Sequence, residues 1–367
     1  MRSTFAIIHL RNLKFNFNQI RKKVKGSKVL AVVKADAYGH GVKQVVLALE
    51  DLKNSPEFYG TALTDEGIEV RSITPSKPVL VFEPLSVDNI NQSIINDLDV
   101  TIFSESHLKL IQKFLLPKKI KVHIKIDTGM GRLGIHHKDA VEFIRRVNKI
   151  ENIEISGTYT HFASSDKKNK KFALIQLERF KSVISTLKNE RIKTGLVHAS
   201  NSGAILDLPE ANFDMVRPGI SLYGYYPSLE TSESFELKPV MSLHSEIDSI
   251  SLKRKGESVS YGQLWKAKED SYIATIPFGY ADGLNRNLTN SMNVIISGKY
   301  FNQVGRVTMD RICVNLNKTK FKIGTKVVLL GNEKDAFIDA WTWSKKLKTI
   351  PYEITCSISK RVPRIYR

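Results

Sequence analysis

The sequence contains few features of secreted, membrane or metal-binding proteins. Its two cysteines, Cys313 and Cys356, form neither a disulfide framework nor a metal-ligand spacing. No apolar run approaches the ~20 residues that a membrane-spanning helix needs, and the N-terminal run Phe5–Leu10 is too short for a secretory signal. We therefore expect a cytoplasmic protein with free thiols, no bound metal and no membrane association.

Acidic residues are scarce relative to basic ones. The chain has 37 Asp and Glu against 56 Lys and Arg, which gives a formal net charge of +19. Such a charge alone suggests a nucleic acid or an anionic surface as a partner. The lysines are scattered, however, and neither an aromatic RNA-binding signature nor a zinc-finger spacing accompanies them. We interpret the excess as a lysine-rich surface and expect no nucleic-acid partner.

The length of 367 residues exceeds the usual size of one domain, so we expect two. The first two-thirds repeat a short β-branched run, a turn and an amphipathic helical stretch such as Lys138–Ile150 or Phe172–Asn189. Eight such units predict a parallel sheet closed into a TIM-like (β/α)8 barrel, an α/β barrel over residues 1–235. The predicted strands are Val29–Lys34, Phe58–Leu63, Val79–Phe82, Asp99–Phe103, Lys121–Ile126, Ile155–His161, Leu196–Ser200 and Phe213–Arg217.

The pattern changes near residue 236. Short strand-like runs are now separated by turn signals such as Lys255-Gly256 and Ser297-Gly298. This pattern predicts a mainly antiparallel β domain over residues 236–367, interrupted by one helix at Asp335–Leu347. The predicted strand runs are Met241–Ile250, Tyr272–Ile276, Met292–Ile296 and Lys326–Leu330.

Barrel enzymes carry their functional groups at the carboxyl ends of the barrel strands. The sharpest candidate is Lys34, which ends the apolar run Val29–Val33. Because burying an unpaired ammonium is costly, Lys34 is either a Schiff-base nucleophile with a depressed pKa or a side chain that reaches out of the barrel mouth. The other polar residues at strand ends are Lys125, Asp127, His161, His198, Asn201, Ser202 and Arg217, with Arg132 in the glycine-rich turn after strand 5.

The loops after strands 7 and 8 of such barrels commonly bind phosphate through backbone N–H groups. Here those loops contain Asn201-Ser202-Gly203 and Gly219-Ile220. Their glycines could also serve only to form turns. A phosphate site opposite a lysine on strand 1 is the arrangement that pyridoxal phosphate (PLP) requires.

Segments spread along nearly the whole chain match, in order, the motifs of one enzyme family. The segment Val33–Gly41 resembles the PLP-attachment signature of the alanine racemase family. The resemblance implies a PLP-dependent isomerase, active as a homodimer with shared active sites, which interconverts L- and D-alanine and supplies D-alanine for peptidoglycan. The other matching segments are Asp127–Gly134, Thr160–Ala163, His198–Ser202, Val216–Gly219, Val259–Gly262, Gly279–Gly283, Gly305–Asp310 and Pro351–Glu353.

The resemblance implies two catalytic bases, because in racemisation a proton leaves one face of Cα and returns to the other. Lys34 would hold PLP and act on one face, and Tyr261 from the partner subunit would act on the opposite face. Tyrosine is a weak base unless cations stabilise its phenolate, and the resemblance assigns that tuning to His161 and Arg217. Arg217 would also face the pyridine nitrogen, keep it unprotonated and suppress transamination.

The remaining residues of the family pattern would bind phosphate or substrate, or line the corridor to the site. Arg132 would pair with the phenolic oxygen of PLP and with the substrate carboxylate, assisted by the backbone N–H of Met309. The expected cofactor ligands are Tyr38, Asn201, Ser202, Gly219, Ile220 and Tyr352. The expected corridor residues are Asp166, His198, Tyr280, Arg286, Arg306 and Ile350.

Lys125 and Asp127 alternate along strand 5 and therefore face the same side. The plain interpretation is an ion pair between them. The resemblance implies instead that Lys125 carries a carbamate, an anion that would hold Arg132 in place.

Three other functions fit parts of the sequence. A PLP decarboxylase of basic amino acids would need a catalytic cysteine in an acidic context, which neither Cys313 nor Cys356 has. Non-catalytic PLP-binding barrel proteins lack a second domain, whereas this chain has one, bearing Tyr261. A racemase of another or broader amino-acid range, such as serine, stays open.

Overall fold

The computed structural model describes residues 3–114 and 118–367, and its contacts divide the chain into two units. The barrel unit consists of Leu13–Ala37 and Val42–Lys238. The β unit consists of residues 3–12, Tyr38–Gly41 and Pro239–Arg367. The predicted domain division at residue 235 stays a prediction. In the part of the chain that is described, no helix has the length and apolarity needed to cross a membrane.

The chain enters the fold through strand β1 (Phe5–Ile8) and helix α1 (Leu10–Lys23). In the barrel unit, eight strands then pair in parallel in the order β2, β3, β4, β5, β6, β8, β9 and β10, and β10 pairs with β2. This closed ring confirms the predicted barrel. The strands are β2 (Lys28–Val32), β3 (Phe58–Thr61), β4 (Val79–Pro84), β5 (Asp99–Ile102), β6 (Ile120–Asp127), the short β7 (Ile135–His136), β8 (Ile153–Tyr159), β9 (Leu196–His198) and β10 (Met215–Val216).

Helices follow most barrel strands, and their apolar faces bury against the strands. Around β6, for example, Val122 and Ile124 pack in one apolar cluster with Phe143, Leu177 and Phe180 of the following helices. Burial of such side chains is the main favourable term in forming the barrel. The helices are α2 (Lys34–Gly39), α3 (Val42–Glu50), α4 (Thr64–Ile73), α5 (Val87–Ile95), α6 (Glu105–Lys113), α7 (Ala140–Val147), α8 (Lys171–Asn189) and α9 (Ser202–Asp207).

The β unit is a mainly antiparallel sheet, as predicted, in the order β12, β13, β16, β15, β14, β17, β11, β1 and β19, with β18 beside β17. Its one parallel pair among the described strands joins β1 to β19. Its elements are β11 (Met241–Glu246), β12 (Ser249–Lys253), β13 (Ser271–Ile276), β14 (Asn293–Ile296), β15 (Lys299–Val304), β16 (Ile312–Asn317), β17 (Lys326–Glu333), β18 (Ala336–Ile338), α10 (Ala340–Leu347), α11 (Pro351–Ser357) and β19 (Arg364–Tyr366).

Several predicted element limits were wrong. The first barrel strand ends at Val32, so Lys34 begins a helical turn instead of ending the strand. The run Met241–Ile250 is broken into β11 and β12. Residues Ala336–Ile338 of the predicted helix form strand β18, and Asp339 caps helix α10 by accepting from Thr342 N–H at 2.8 Å. This N-cap begins the helix several residues later than the apolar pattern indicates.

Candidate active site

Lys34 is placed by an unusual piece of backbone. The four residues after it, from Ala35 to Tyr38, all have φ between 52° and 56°, which makes α2 a left-handed turn. For residues with a Cβ this conformation costs roughly 1–2 kcal/mol each. The turn is held by Glu66, whose carboxylate accepts from the N–H groups of Ala35 at 2.7 Å and Ala62 at 2.8 Å. Tertiary contacts thus fix the half-buried Lys34 just beyond the end of β2.

Lys125 lies at the centre of a group of cations. It is 6% exposed, and burial together with the positive charges of Arg132, Arg217 and Lys34 lowers its pKa to about 8. The structure therefore brings together four basic residues that the sequence placed on strands 1, 5 and 8. A cluster of one charge sign with two buried members, Lys125 and Arg217, favours a bound anion.

Asp127 does not neutralise this cluster by direct pairing. Its carboxylate accepts from Gly129 N–H at 2.9 Å and from Gly131 N–H at 3.1 Å, so it shapes the glycine-rich turn that carries Arg132. Within the described residues, no carboxylate lies within ion-pair distance of Lys125 Nζ. The expected alternative of a Lys125–Asp127 ion pair is therefore not formed, although the charge of Asp127 acts to raise the pKa of Lys125.

Arg217 is buried within the barrel, where it is 3% exposed. Its guanidinium donates to Nδ1 of His198 at 2.8 Å, to the carbonyls of Thr160 at 2.7 Å and Ala199 at 2.9 Å, and more weakly to Nδ1 of His161 at 3.5 Å. Burial lowers the pKa of Arg217 to about 10, which still leaves it a cation at neutral pH. The side chain is thus fixed in direction by acceptors on both sides.

His161 is the neutral member of this group. Burial, and then the charges of Arg217 and Lys125, lower its pKa well below the usual range. At neutral pH it is therefore an uncharged imidazole that can accept a hydrogen bond from Arg217. This arrangement agrees with the expected contact between the two residues.

His198 lies in a different place from the one that the resemblance implies for it. It is completely buried inside the barrel unit, against Arg217 and Tyr159. A residue without exposed surface does not line a corridor in this chain. Asp166, in contrast, lies partly exposed in the loop after β8.

The two loops predicted to bind phosphate meet in the structure. The hydroxyl of Ser202, at the start of α9, accepts from Gly219 N–H at 3.0 Å. Ile220 follows and is fully buried. The side chain of Asn201 caps α9 by accepting from Ala204 N–H at 3.1 Å. The structure thus gives Asn201 a role in shaping the loop.

In the β unit, five of the expected residues line one cleft of about 870 Å³. Tyr261 projects from it with 73% of its surface exposed. The other expected residues in the cleft are Tyr280, Arg286, Arg306 and Met309.

Two further expected residues of the β unit pack on one another. The ring centroids of Tyr38 and Tyr352 are 5.9 Å apart, and Tyr352 lies in the first turn of α11. Ile350, which precedes α11, is 45% exposed.

The residues present fit PLP by their chemistry. The cofactor carries a phosphate and a phenolic oxygen, and the barrel unit offers the cations Lys34, Lys125, Arg132 and Arg217. Lys34 supplies the primary amine that a Schiff base requires. The hydroxyl of Ser202 and the backbone N–H groups of the adjoining loop are typical phosphate ligands.

Sequence reasoning missed three polar residues that shape this site: Glu66, Asp99 and His123. His123 could have been found, because it alternates with Lys125 and Asp127 along β6 and so faces the same side. Glu66 lies on a helix, and Asp99 begins its strand instead of ending it.

Two family models match nearly the whole chain. The model described as alanine racemase, N-terminal domain, matches residues 8–227, and the model described as alanine racemase, C-terminal domain, matches residues 240–366. Among similar proteins, alanine racemase 2 of Caldanaerobacter subterraneus subsp. tengcongensis is 40% identical, covering 100% of this chain and 95% of the relative. The alanine racemase of Treponema denticola is 39% identical, covering 100% and 98%.

Solved structures of the same kind superpose closely. The alanine racemase of E. faecalis has a TM-score of 0.94 at 31% identity, covering 100% of this chain and 98% of that one. The alanine racemase of Bacillus anthracis, solved with bound L-Ala-P, has a TM-score of 0.91 at 34% identity, covering 100% and 95%.

Proposed function

The chain belongs to the alanine racemase family, and from that premise we propose that it interconverts L- and D-alanine with PLP by a two-base mechanism. The observation that carries the proposal is the group of Lys34, Lys125, Arg132 and Arg217 at the carboxyl ends of the barrel strands. The family is PLP-dependent, and its cofactor is an anion that such a group can hold. The predicted cytoplasmic location and the supply of D-alanine for peptidoglycan belong to the same proposal.

Each expected cofactor or substrate ligand has a defined part in this proposal. Lys34 would hold PLP covalently, Ser202 and the backbone of Gly219 and Ile220 would bind its phosphate, and Arg217 would face its ring nitrogen. Bound PLP supplies the electron-withdrawing group that makes the Cα proton of alanine acidic. Arg132 would bind the carboxylate of the substrate, and Tyr38 and Tyr352 would complete the phosphate ligands.

Proton transfer then falls to two side chains. The amine of Lys34 would exchange a proton with Cα on one face, and the phenol of Tyr261 on the other. His161 is uncharged at neutral pH, so it could pass the influence of Arg217 to the phenol without adding a second cation. Met309, in the same cleft as Tyr261, would contribute its backbone N–H to the substrate carboxylate.

The function is tested by incubating the PLP-loaded protein separately with L-alanine, L-serine and L-lysine and separating the enantiomers by chiral chromatography. We expect D-alanine to form fastest, and L-lysine to yield neither D-lysine nor a decarboxylated amine. If D-serine formed faster than D-alanine, serine and not alanine would be the preferred substrate. No product from any of the three would contradict the proposal as a whole.

The active site would be shared between two subunits. Tyr261 lies 73% exposed in the cleft of the β unit, with Met309 at 52%, and such exposed apolar groups are typical of surfaces that another subunit covers. We place these two residues in the site of the partner subunit of a homodimer. A symmetric dimer would then contain two equivalent sites.

Mixing two inactive variants tests this arrangement. Lys34→Ala and Tyr261→Phe should each be nearly inactive alone. After subunit exchange, heterodimers carry one site with both bases intact, so the mixture should regain about a quarter of wild-type activity by random pairing. The double variant Lys34→Ala/Tyr261→Phe mixed with Lys34→Ala is the matched control and should regain none. If the first mixture stays as inactive as the control, both bases come from one chain.

Lys125 is proposed to carry a carbamate. Because burial and neighbouring cations lower its pKa to about 8, a substantial fraction of the amine is uncharged at neutral to mildly basic pH. An uncharged amine adds to carbon dioxide, forming an N–C bond and releasing one proton. The cation becomes an anion among Lys34, Arg132 and Arg217, which the local charges favour.

Carbon-13 NMR with labelled bicarbonate measures this modification directly. The wild-type protein should give a carbamate signal that grows as pH rises from 7 to 8 and the amine loses its proton. Lys125→Ala should lack it, and the KM for alanine should rise about tenfold as Arg132 loses its anionic partner. Lys121→Ala, on the same strand but paired with Asp97, should keep the signal. A wild-type spectrum without the signal would rule out the carbamate.

A further inference from the structure

A chain of buried polar side chains runs through the barrel away from Arg217. Nδ1 of His198 lies 2.8 Å from Arg217, Nε2 of His198 lies 2.9 Å from Nδ1 of His123, and Nε2 of His123 lies 3.2 Å from Asp99 Oδ2. The four side chains are between 0% and 3% exposed. They come from four different strands or strand ends, so the barrel itself brings them together.

The direction of every hydrogen bond in this chain follows from Arg217. A guanidinium only donates, so Nδ1 of His198 must accept and its proton must be on Nε2. That proton is donated to Nδ1 of His123, which leaves the proton of His123 on Nε2, where it is donated to Asp99. The geometry thus defines one set of tautomers: two neutral histidines that both donate towards Asp99.

The hydrogen bonds that begin at Arg217 end at a buried carboxylate. All hydrogen-bond partners of Arg217 among the described residues are uncharged: two backbone carbonyls and two histidines. The guanidinium also lies over the ring of Tyr159, 5.2 Å from its centroid. Burying a charge without an opposite charge is costly. Asp99 is the carboxylate that the hydrogen bonds lead to, and its other oxygen, Oδ1, is buried without a partner in the part of the chain that is described. The buried carboxylate and the buried guanidinium are therefore connected by hydrogen bonds through two imidazoles.

Aromatic rings and a glycine without a side chain pack closely around these hydrogen-bonded side chains. The ring of Tyr159 stacks on His198 with 4.9 Å between centroids, and Phe58 lies edge-on to His123 at 6.2 Å. Gly157 leaves the room that His123 occupies, because a Cβ there would lie 2.4 Å from His123 Nδ1. The hydrogen bonds that connect Arg217 to Asp99 therefore lie in a low-dielectric environment, where hydrogen bonds are stronger than in water.

We propose that Asp99 and His123 are positioning residues for the racemase reaction: through His198 they hold Arg217, cationic and correctly oriented, at the ring nitrogen of the cofactor. This inference rests on the proposed function of Arg217. Neither residue touches the cofactor or the substrate. In catalytic triads a buried Asp fixes the tautomer and orientation of the catalytic histidine. The carboxylate of Asp99 would do the same for His123.

Nitrogen-15 NMR of histidine side chains tests the hydrogen-bonded series from Arg217 to Asp99 without measuring activity. The spectra are recorded with and without PLP, and signals are assigned with His123→Gln and His198→Gln. We expect both histidines to be neutral and protonated only on Nε2. A doubly protonated His123 would overturn the proposal, because Asp99 would then be neutralised locally and would not serve Arg217. The NMR measurement does not depend on which amino acid is the substrate, so it tests this inference separately from the proposed function.

Kinetics test whether Asp99 acts through His198. Asp99→Asn keeps the shape and removes the charge, and it should lower kcat about 10- to 100-fold, the size typical for an outer hydrogen-bond partner of a functional residue. KM for alanine should stay within about twofold. In a His198→Asn background the same change should lower kcat less than about twofold further, because the connection is already broken. An equal loss in both backgrounds, or no loss in either, would mean a purely structural role.

Two more variants separate positioning from general damage. Gly157→Ala changes no polar group but displaces His123, so it should lower kcat to a similar extent as Asp99→Asn. Thr158→Val removes a neighbouring, partly buried hydrogen bond from the hydroxyl of Thr158 to the carbonyl of Thr194, at 2.7 Å, and should leave kcat within about twofold. A loss of kcat in Thr158→Val equal to that in Asp99→Asn would show that any buried defect in this strand has the same effect.

Discussion

Lys34→Ala is expected to abolish the visible absorption of covalently bound PLP and to lower alanine racemisation by at least about a thousandfold. The variant removes the amine proposed to hold the cofactor, which is also one of the two proposed bases, and losses of that order follow removal of a catalytic nucleophile. Added PLP should still bind through its phosphate and be washed out on gel filtration. Absorbance after gel filtration and chiral chromatography together measure the two effects.

The matched control for Lys34 is Lys28, the first residue of strand β2, whose far end leads to Lys34. Lys28 is exposed and lies at the amino end of β2, the opposite end of the barrel from the proposed site. Lys28→Ala should keep cofactor absorbance and racemisation within about twofold of wild type. Retention of the absorption band in Lys34→Ala would assign the covalent attachment to another lysine.

The sequence predicted the barrel and most of its functional strand ends because both depend on local patterns. Alternating β-branched runs and amphipathic helices identify eight units, and a lysine after an apolar strand marks the first of them. The cations of the site could be predicted together, since the carboxyl ends of all the strands of a parallel barrel lie on one side. Lys34, Lys125 and Arg217 were placed in this way.

Other features depend on contacts that local patterns do not contain. Strand β1 pairs with β11 and β19, whose residues lie more than 230 positions away in the sequence. The segment Ala35–Tyr38 has a composition that favours an ordinary right-handed helix, and the left-handed turn is stabilised by contacts outside the segment, such as the hydrogen bond from Ala35 N–H to Glu66. Asp99 was missed because it starts its strand, where a barrel is expected to carry stability and not function.

Arg217→Glu is expected to lower racemisation by at least about a thousandfold and to raise the yield of pyruvate per turnover. In the proposed site the change would replace a cation at the ring nitrogen by an anion, which would raise the pKa of that nitrogen and favour its protonated form. With PLP bound, such a ring would withdraw electrons more strongly and would favour transamination over racemisation. Alanine would then leave as pyruvate, with its carbonyl oxygen from water, and its amino group would stay on the cofactor as pyridoxamine phosphate. Pyruvate is measured with a coupled dehydrogenase, and D-alanine by chiral chromatography.

The same substitution also tests the packing of the barrel, because Arg217 donates to two backbone carbonyls and to His198. A glutamate offers these acceptors no proton and adds a second buried carboxylate to the one at Asp99, so the free energy of unfolding should fall by about 3–5 kcal/mol.

Arg217→Gln separates the two effects: it restores some donors and carries no charge, and it should racemise alanine slowly without added pyruvate. Arg71→Gln is the control, since Arg71 also donates to several backbone carbonyls, among them those of Asn96 and Asp97, but lies on α4. It should cost stability and leave the ratio of pyruvate to D-alanine unchanged. If folded, PLP-loaded Arg217→Glu gives that same unchanged ratio, Arg217 supports the barrel and has no electronic part in the reaction.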